Sequence, residues 1–327
     1  GAGGGGGRQP AELGKPLVDP AEWYPGDFDG SDAWITRLSE ADLAELNCTI
    51  GHIEADGIEI KDITRDEFPL PSLAAELANV REELLEGRGF ALVRGLPIGD
   101  MSRAGMAAAF WTLGSHIGRA LSQNAEGHVL GHVTDLGGDY AKVRGYMTNA
   151  QMGFHTDQCD ILALACLHPA KSGGAHLICS SVAVYNEMLK RRPELVPELT
   201  WKFYRSRSGE IPAGETEPWY RQGIFNFHEG YFAARGVSAN IAKAQTMPGV
   251  PPFTLAQIEA MDLFKALARE LAWEVQFEPG DVFFLNCHVT LHSRGAFEDW
   301  PEPERRRHLL RLWLSTGGAR PLSPDFD

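Results

Sequence analysis

The chain has 327 residues, 43% hydrophobic and 23% charged, with 16 Phe, 8 Trp and 7 Tyr, enough apolar material for a sizeable core, which excludes disorder for most of its length. With 30 Lys and Arg against 44 Asp and Glu, the formal charge is −14, which makes nucleic acid and anionic membranes poor partners. No apolar run approaches the ~20 residues that span a bilayer. The five cysteines are scattered and form no CxxC, which argues against a disulfide framework or a thiolate zinc site and for a reduced, cytoplasmic protein. Length alone allows one or two domains.

Residues 1–14 are Gly-rich, and Gly1, Gly3 and Gly6 match GxGxxG only formally, because no strand precedes them and no helix follows. This segment reads as a disordered or tag-derived tail, leaving 15–327 as the folded unit. From Pro71 to Gly87, Leu73, Leu77, Val80, Leu84 and Leu85 recur at helical spacing, and Gly87 ends the helix. The apolar run from Gly89 to Arg94 reads as a buried strand. Helices are predicted from Ser102 to about Gly114 and from Ser181 to Arg192, the latter stopped by Pro193. The stretch 205–254 is irregular and aromatic, with Trp219, Tyr231 and Phe232 as packing residues, and it reads as a lid-like insert. A helix from Leu255 to Leu271 opens on a capping box formed by Thr254 and Gln257, with Leu255, Ile258, Met261 and Leu267 tracing its turns. Strands follow around Trp273 to Phe277, Val282 to Leu285 and His308 to Leu314. Short strands through the centre and C-terminal third, with helices outside them, predict a mostly β, α+β fold: an antiparallel sandwich or jelly roll flanked by helices.

Three clusters carry chemistry. In Phe154-His155-Thr156-Asp157 the imidazole and the carboxylate are two apart, so extended backbone places both on one side. Such a pair suits Fe(II) when a second His completes the ligand set. The segment Asn286-Cys287-His288-Val289-Thr290-Leu291-His292 offers two candidates, His288 and His292, which an unbroken strand would face the same way. In the last strand Arg307, Leu309 and Arg311 share one face and His308, Leu310 and Leu312 the other. Arg311, set among Leu and Trp, reads as buried and in need of an anionic partner, whereas Arg305 and Arg306 read as surface residues. Cys159 reads as packing, His168 as a turn residue, and Asn149 and Gln151 as either pocket-lining or plain loop.

Taken together, the order and spacing of these motifs, with Ser172-Gly173-Gly174 between them, resemble the taurine/α-ketoglutarate-dependent dioxygenase family of Fe(II)/2-oxoglutarate oxygenases from about Gly89 to Leu314. The resemblance implies a double-stranded β-helix with Fe(II), 2-oxoglutarate and O2 as cofactor and cosubstrates. It implies His155, Asp157 and His292 as metal ligands, because the family's second His follows an Asn by six residues and a Thr by two. His288 then falls to a supporting role. Arg307 matches the residue that pairs with the far carboxylate of 2-oxoglutarate, and Arg311 one near the cosubstrate or the substrate. One departure is His176, where the family commonly has Thr. A hydrogen bond from His176, or its imidazolium charge, would have to serve the carboxylate instead. The retained Asp157 disfavours halogenation, so hydroxylation or a related C–H oxidation of a small molecule is expected, an amino acid or natural-product intermediate among the substrates. The acidic chain leans toward a cationic one. Oligomeric state stays open. The competing readings are a non-catalytic metal-binding jelly roll and a zinc-dependent hydrolase.

Overall fold

The apolar run Phe-Phe-Leu near residue 284 and the alternation before His168 set the architecture. The computed structural model describes residues 7–123, 127–133, 152–295 and 297–326, so Asn149 and Gln151 lie outside the described residues. The chain opens with β1 (Ile35–Arg37), α1 (Glu40–Ala55), α2 (Leu73–Glu86), β2 (Phe90–Arg94), α3 (Arg103–Ser115), β3 (Arg119–Ala120) and β4 (Gly131–Val133). It continues through β5 (Met152–His155), β6 (Ile161–His168), β7 (Ser172–Gly173), β8 (His176–Ser180) and α4 (Ser181–Arg191). Then come β9 (Phe203–Ser206), β10 (Trp219–Gln222), β11 (Phe225–His228), β12 (Tyr231–Ala234) and α5 (Ala239–Ala244). The last third holds α6 (Leu255–Glu270), β13 (Trp273–Val275), β14 (Val282–Asn286), β15 (Thr290–Arg294), β16 (Phe297–Glu298) and β17 (His308–Ser315).

Among the described residues the large sheet runs β1-β2-β14-β6-β17-β3, with β4 also on β17, and the small sheet runs β13-β8-β15-β5. Period-two alternation divides the large sheet's side chains between two cores. Val282 and Phe284 of β14, and Leu310, Leu312 and Leu314 of β17, pack outward against α1, α2 and α3. Phe283 and Leu285 face inward with Leu162, Leu164 and Ile178, between the sheets. Leu291 and Cys179 of the small sheet pack outward against α4 and α6. The result is the jelly roll with flanking helices that the sequence predicts, its two sheets facing across an inner space.

Local chemistry explains the elements. Ser39 and Asp42 form a capping box at α1, a helix the sequence reading leaves out because Thr49, Ile50 and Gly51 interrupt it. Helix α3 is Ala- and Gly-rich and buried nearly all round; a Cβ on Gly114 would sit 2.9 Å from the Leu312 Cδ1 methyl, so any larger residue there would make that buried side chain shift. The Thr254–Gln257 capping box of α6 forms, but the inward stripe is Ala260, Met261, Phe264, Leu267 and Ala268, and Leu255 is 85% exposed. The insert is more regular than its sequence suggests: β9–β10 and β11–β12 are two antiparallel pairs, and Phe225 and Phe232 are buried core residues. His168 ends β6 rather than sitting in a turn. Residues 8–14, expected as tail, dock on the body: Ala11 N–H donates to Gly230 O at 2.7 Å, Gly14 N–H to the Tyr185 hydroxyl, and the Arg8 guanidinium lies 3.6 Å over the Tyr231 ring. Among the described residues no helix is long and apolar enough to cross a membrane.

Candidate metal centre and its cavity

His155 closes β5, and His292 lies directly opposite it across the β15–β5 ladder. Asp157 follows two residues beyond, on the same side. Their ligand atoms all lie within 4.8 Å of one another, the rings of His155 and His292 are 4.2 Å apart, and His292 Nε2 is 3.8 Å from Asp157 Oδ2. His155 Nδ1–H donates to the Gly153 carbonyl at 2.8 Å, which fixes the ring and leaves Nε2 with a free electron pair for a metal. Burial would raise the Asp157 carboxyl, but Arg311 first, then His292, His155 and Trp313, offset it, and the group ends below its ordinary range. Burial, reinforced by His155, holds the His292 imidazole down to about 3, so it stays neutral at physiological pH. Two imidazoles and one ionised carboxylate with open positions beside them are the donor set of a non-heme Fe(II) site, so the residues fit the metal.

His288 is elsewhere. Its Nε2–H donates to Asp160 Oδ1 at 2.7 Å, and its Nδ1 accepts from Arg235 Nη1 at 3.3 Å. Asp160 also accepts from the Thr316 backbone N–H and hydroxyl, and its own carbonyl accepts from Cys287 N–H. The turn between β14 and β15 is braced in the same way. Asn286 Oδ1 accepts from His288 N–H, and the Asn286 carbonyl accepts the Thr290 hydroxyl at 2.6 Å. The spacing from Asn286 through Thr290 to His292 thus has a structural cause: the turn aims His292 at His155.

The metal cluster lies in the wall of a cavity of about 920 Å³, which Arg307, just before β17, and Leu309, Arg311 and Trp313 of β17 line in alternation. Arg307 Nη2 donates to His176 Nε2 at 3.1 Å, its backbone N–H donates to Asp299 Oδ1, and its buried Nη1 has no partner among the described residues. Burial and the nearby Arg294 lower the Arg307 guanidinium to about 10, still charged. His176 accepts from an arginine and is pushed well below its ordinary range by burial and by Arg307, so the imidazolium considered above is replaced by a neutral ring, stacked on Phe277 at 4.2 Å. Arg311 Nε donates to Gln123 Oε1 at 2.6 Å. Arg305 and Arg306 are exposed, and Cys159 is buried packing. Sequence reasoning missed Arg294, buried on the cavity wall, although its place two residues after His292 on the same strand marks that face. It also missed Arg205, for which no sequence signal exists.

The family model for the taurine catabolism dioxygenase TauD, TfdA family matches residues 57–313. The chain belongs to this family. Among TauD/TfdA relatives, FR-33289 synthase of Streptomyces rubellomurinus is 32% identical over 317 residues, covering 94% of this chain and 93% of the relative. The taurine hydroxylase-like protein SAT17 of Stachybotrys chartarum is 29% identical, covering 92% of this chain and 80% of the relative. The fold is that of an asparagine oxygenase solved with Fe(II), 2S,3S-3-hydroxyasparagine and succinate, at 16% identity, TM-score 0.68 and coverage of 86% and 94%. It is also that of the non-heme iron oxygenase OrfP solved with Fe, succinate and (3S)-hydroxy-L-Arg, at 15% identity, TM-score 0.63 and coverage of 86% and 94%.

Proposed function

We propose that this TauD/TfdA family member is an Fe(II)- and 2-oxoglutarate-dependent dioxygenase that oxidises a C–H bond of a small molecule. In the reaction O2 and 2-oxoglutarate are consumed, succinate and CO2 are released, and one oxygen atom enters the substrate as a hydroxyl. The observation that carries the reading is the meeting of His155, Asp157 and His292 within 4.8 Å in a cavity that also holds the buried Nη1 of Arg307, which has no partner among the described residues. The named contents of the two solved relatives, iron with succinate, support it.

Bound to His155, Asp157 and His292, Fe(II) would supply the redox chemistry that couples O2 reduction to decarboxylation of the cosubstrate and oxidation of the C–H bond. The chain's own residues supply the rest. Gly153 O holds the His155 ring in one tautomer and orientation. Arg311 keeps Asp157 ionised despite its burial. Arg307, held by His176 and Asp299, presents Nη1 to the far carboxylate of 2-oxoglutarate, a charge-assisted bond that also answers the cost of burying an arginine. Leu164, Leu309 and Trp313 give the cavity an apolar side that excludes water from the reacting groups.

Asp157→Ala tests the reading. Its succinate release coupled to substrate oxidation should fall by more than the roughly 10- to 100-fold typical of losing a group that merely orients a ligand. Its Fe(II) affinity, measured by equilibrium dialysis, should fall in parallel. Full coupled turnover in the variant would sink the assignment. Iron binding without 2-oxoglutarate-coupled succinate in the native protein would favour a non-catalytic metal protein, and hydrolysis supported by zinc alone a hydrolase.

A further inference from the structure

The insert meets the supports of the metal cluster at one short segment. Ala234 ends β12, and Arg235 and Gly236 follow it. Between them these residues reach every stretch of chain that carries a metal ligand. Ala234 N–H donates to His288 O at 2.9 Å, on the turn that leads into His292. Arg235 Nη1 donates on the same turn to Cys287 O at 3.1 Å and to His288 Nδ1 at 3.3 Å. The His288 ring extends that contact, because its Nε2–H donates to Asp160 Oδ1 at 2.7 Å, on the segment just after Asp157. Gly236 meets the strand of His155 directly: a Cβ there would lie 2.7 Å from His155 Cα and 2.9 Å from Phe154 O.

Each contact admits one geometry. Arg235 is 3% exposed, and the acid that offsets its charge is Asp160, on the other side of the His288 ring. A neutral imidazole that accepts from a cation and donates to an anion is polarised along that line, so cation, ring and anion hold one another in place. The guanidinium also lies 4.5 Å over the Phe326 ring. At Gly236 the need is for space rather than for a left-handed backbone, and its close neighbours are backbone atoms, which cannot swing aside. Arg205, which has no carboxylate partner among the described residues, pins it from behind by donating Nη1 to Gly236 O at 2.9 Å. An arginine that merely stabilised the insert would look like Arg320. That side chain is also buried and donates to Phe232 O on β12 at 2.9 and 2.6 Å, but among the described residues it bonds no ligand-bearing stretch.

We infer that Arg235 and Gly236 are positioning residues for the metal: they set the spacing of His155 and His292 and, through His288 and Asp160, the place of Asp157. The inference rests on the metal site of the oxygenase reading and adds to it two residues that offer the metal no donor atom. It also couples the insert to the metal, since Gly236, Val237 and Ser238 line the cavity. The segment that spaces the ligands is thus one that a bound molecule touches.

The experiment is metal binding, without turnover. Fe(II) affinity is measured anaerobically by equilibrium dialysis, and the visible absorption of Co(II) in the same site reports ligand geometry. Arg235→Gln and Gly236→Ala should each weaken Fe(II) binding by roughly 10- to 100-fold, the range for losing a group that orients a ligand. Both should shift or weaken the Co(II) bands. Arg320→Gln is the control: its urea midpoint should fall, while its Fe(II) affinity stays within about twofold of native and its Co(II) bands stay unchanged. The two test variants act on different ligand-bearing stretches, so either one decides alone if the other does not fold. Fe(II) affinity within about twofold of native in the folded test variants overturns the inference, as does an equal loss in Arg320→Gln. A native protein that binds no Fe(II) removes the metal reading and this inference with it, whereas native binding with unmoved variants removes the inference alone.

Discussion

Strands β14 and β15 are neighbours in sequence, five residues each, and buried along their whole length, yet they are made of opposite materials. β14 reads Val-Phe-Phe-Leu-Asn and β15 Thr-Leu-His-Ser-Arg. Every side chain of β14 finds its partners inside the protein: two cores share the four apolar residues, and Asn286 bonds Leu84 O and His288 N–H. On β15 Leu291 joins a core, whereas the hydroxyl of Ser293 has no partner among the described residues and His292 meets another imidazole and a carboxylate. Equal burial thus serves two ends. One strand stabilises the fold, and the other, while its Thr290 hydroxyl is bonded to Asn286 O, also holds the imidazole of His292 dry beside His155 and Asp157, where a metal would answer it, because desolvated polar groups interact strongly with a ligand and are costly without one.

The largest effect should come from the stabilising strand. Phe284 is 0% exposed at the centre of the large sheet. Phe284→Ala should destabilise by about 3–5 kcal/mol, measured by urea unfolding. A loss under about 1 kcal/mol would mean that the sheet is not the rigid half of the comparison.

Much of this division is legible in the sequence. Continuous apolar runs announce β2 and β14, and the alternation of Arg307, Leu309 and Arg311 with leucines announces which face of β17 lines the cavity. His155 and Asp157 are readable together because two-residue spacing is local. The choice between His288 and His292 is not, since both parities agree; it is made by Asp160 and Arg235, which reach His288 from distant segments. Arg205 is invisible for the same reason: what makes it unusual is the lack of an acid near it in space. The phase of α6 is misread because Leu255 and Ile258 lie on its exposed side, where apolar residues carry no signal.

His288 joins the two strands, and acid should loosen that joint. Burial holds its imidazole down to about 4, outweighing the Asp160 hydrogen bond that raises it. The unfolded chain titrates near 6.5. Between those values the unfolded chain takes up a proton that the folded protein refuses, so this stabilisation is complete above pH ~6.5 and is lost as the pH falls toward 4. His288→Asn removes the titrating group. Its stability cost relative to the native protein should therefore shrink by about 2 kcal/mol between pH 7 and pH 5. A cost that does not change with pH would show that His288 titrates in the fold as it does in the unfolded chain.

The smallest effect discriminates best between the two strands. Ser293 lies one residue after His292, lines the cavity, and its buried hydroxyl has no partner among the described residues. Were β15 a stabilising strand like β14, trimming any of its buried side chains would cost folding energy. If this polar atom instead goes unpaired, removing an unsatisfied hydroxyl spares a desolvation penalty in the ligand-free protein. Ser293→Ala should accordingly leave the stability of the ligand-free protein within about 0.5 kcal/mol or raise it. With Fe(II) and 2-oxoglutarate bound the variant should gain as much unfolding resistance as the native protein does, because Ser293 alternates with His292 and Arg294 and the ligands leave its hydroxyl unanswered. A Ser293→Ala variant already destabilised by more than 1 kcal/mol without ligand would place β15 beside β14, as a strand whose polar residues are paid for inside the fold.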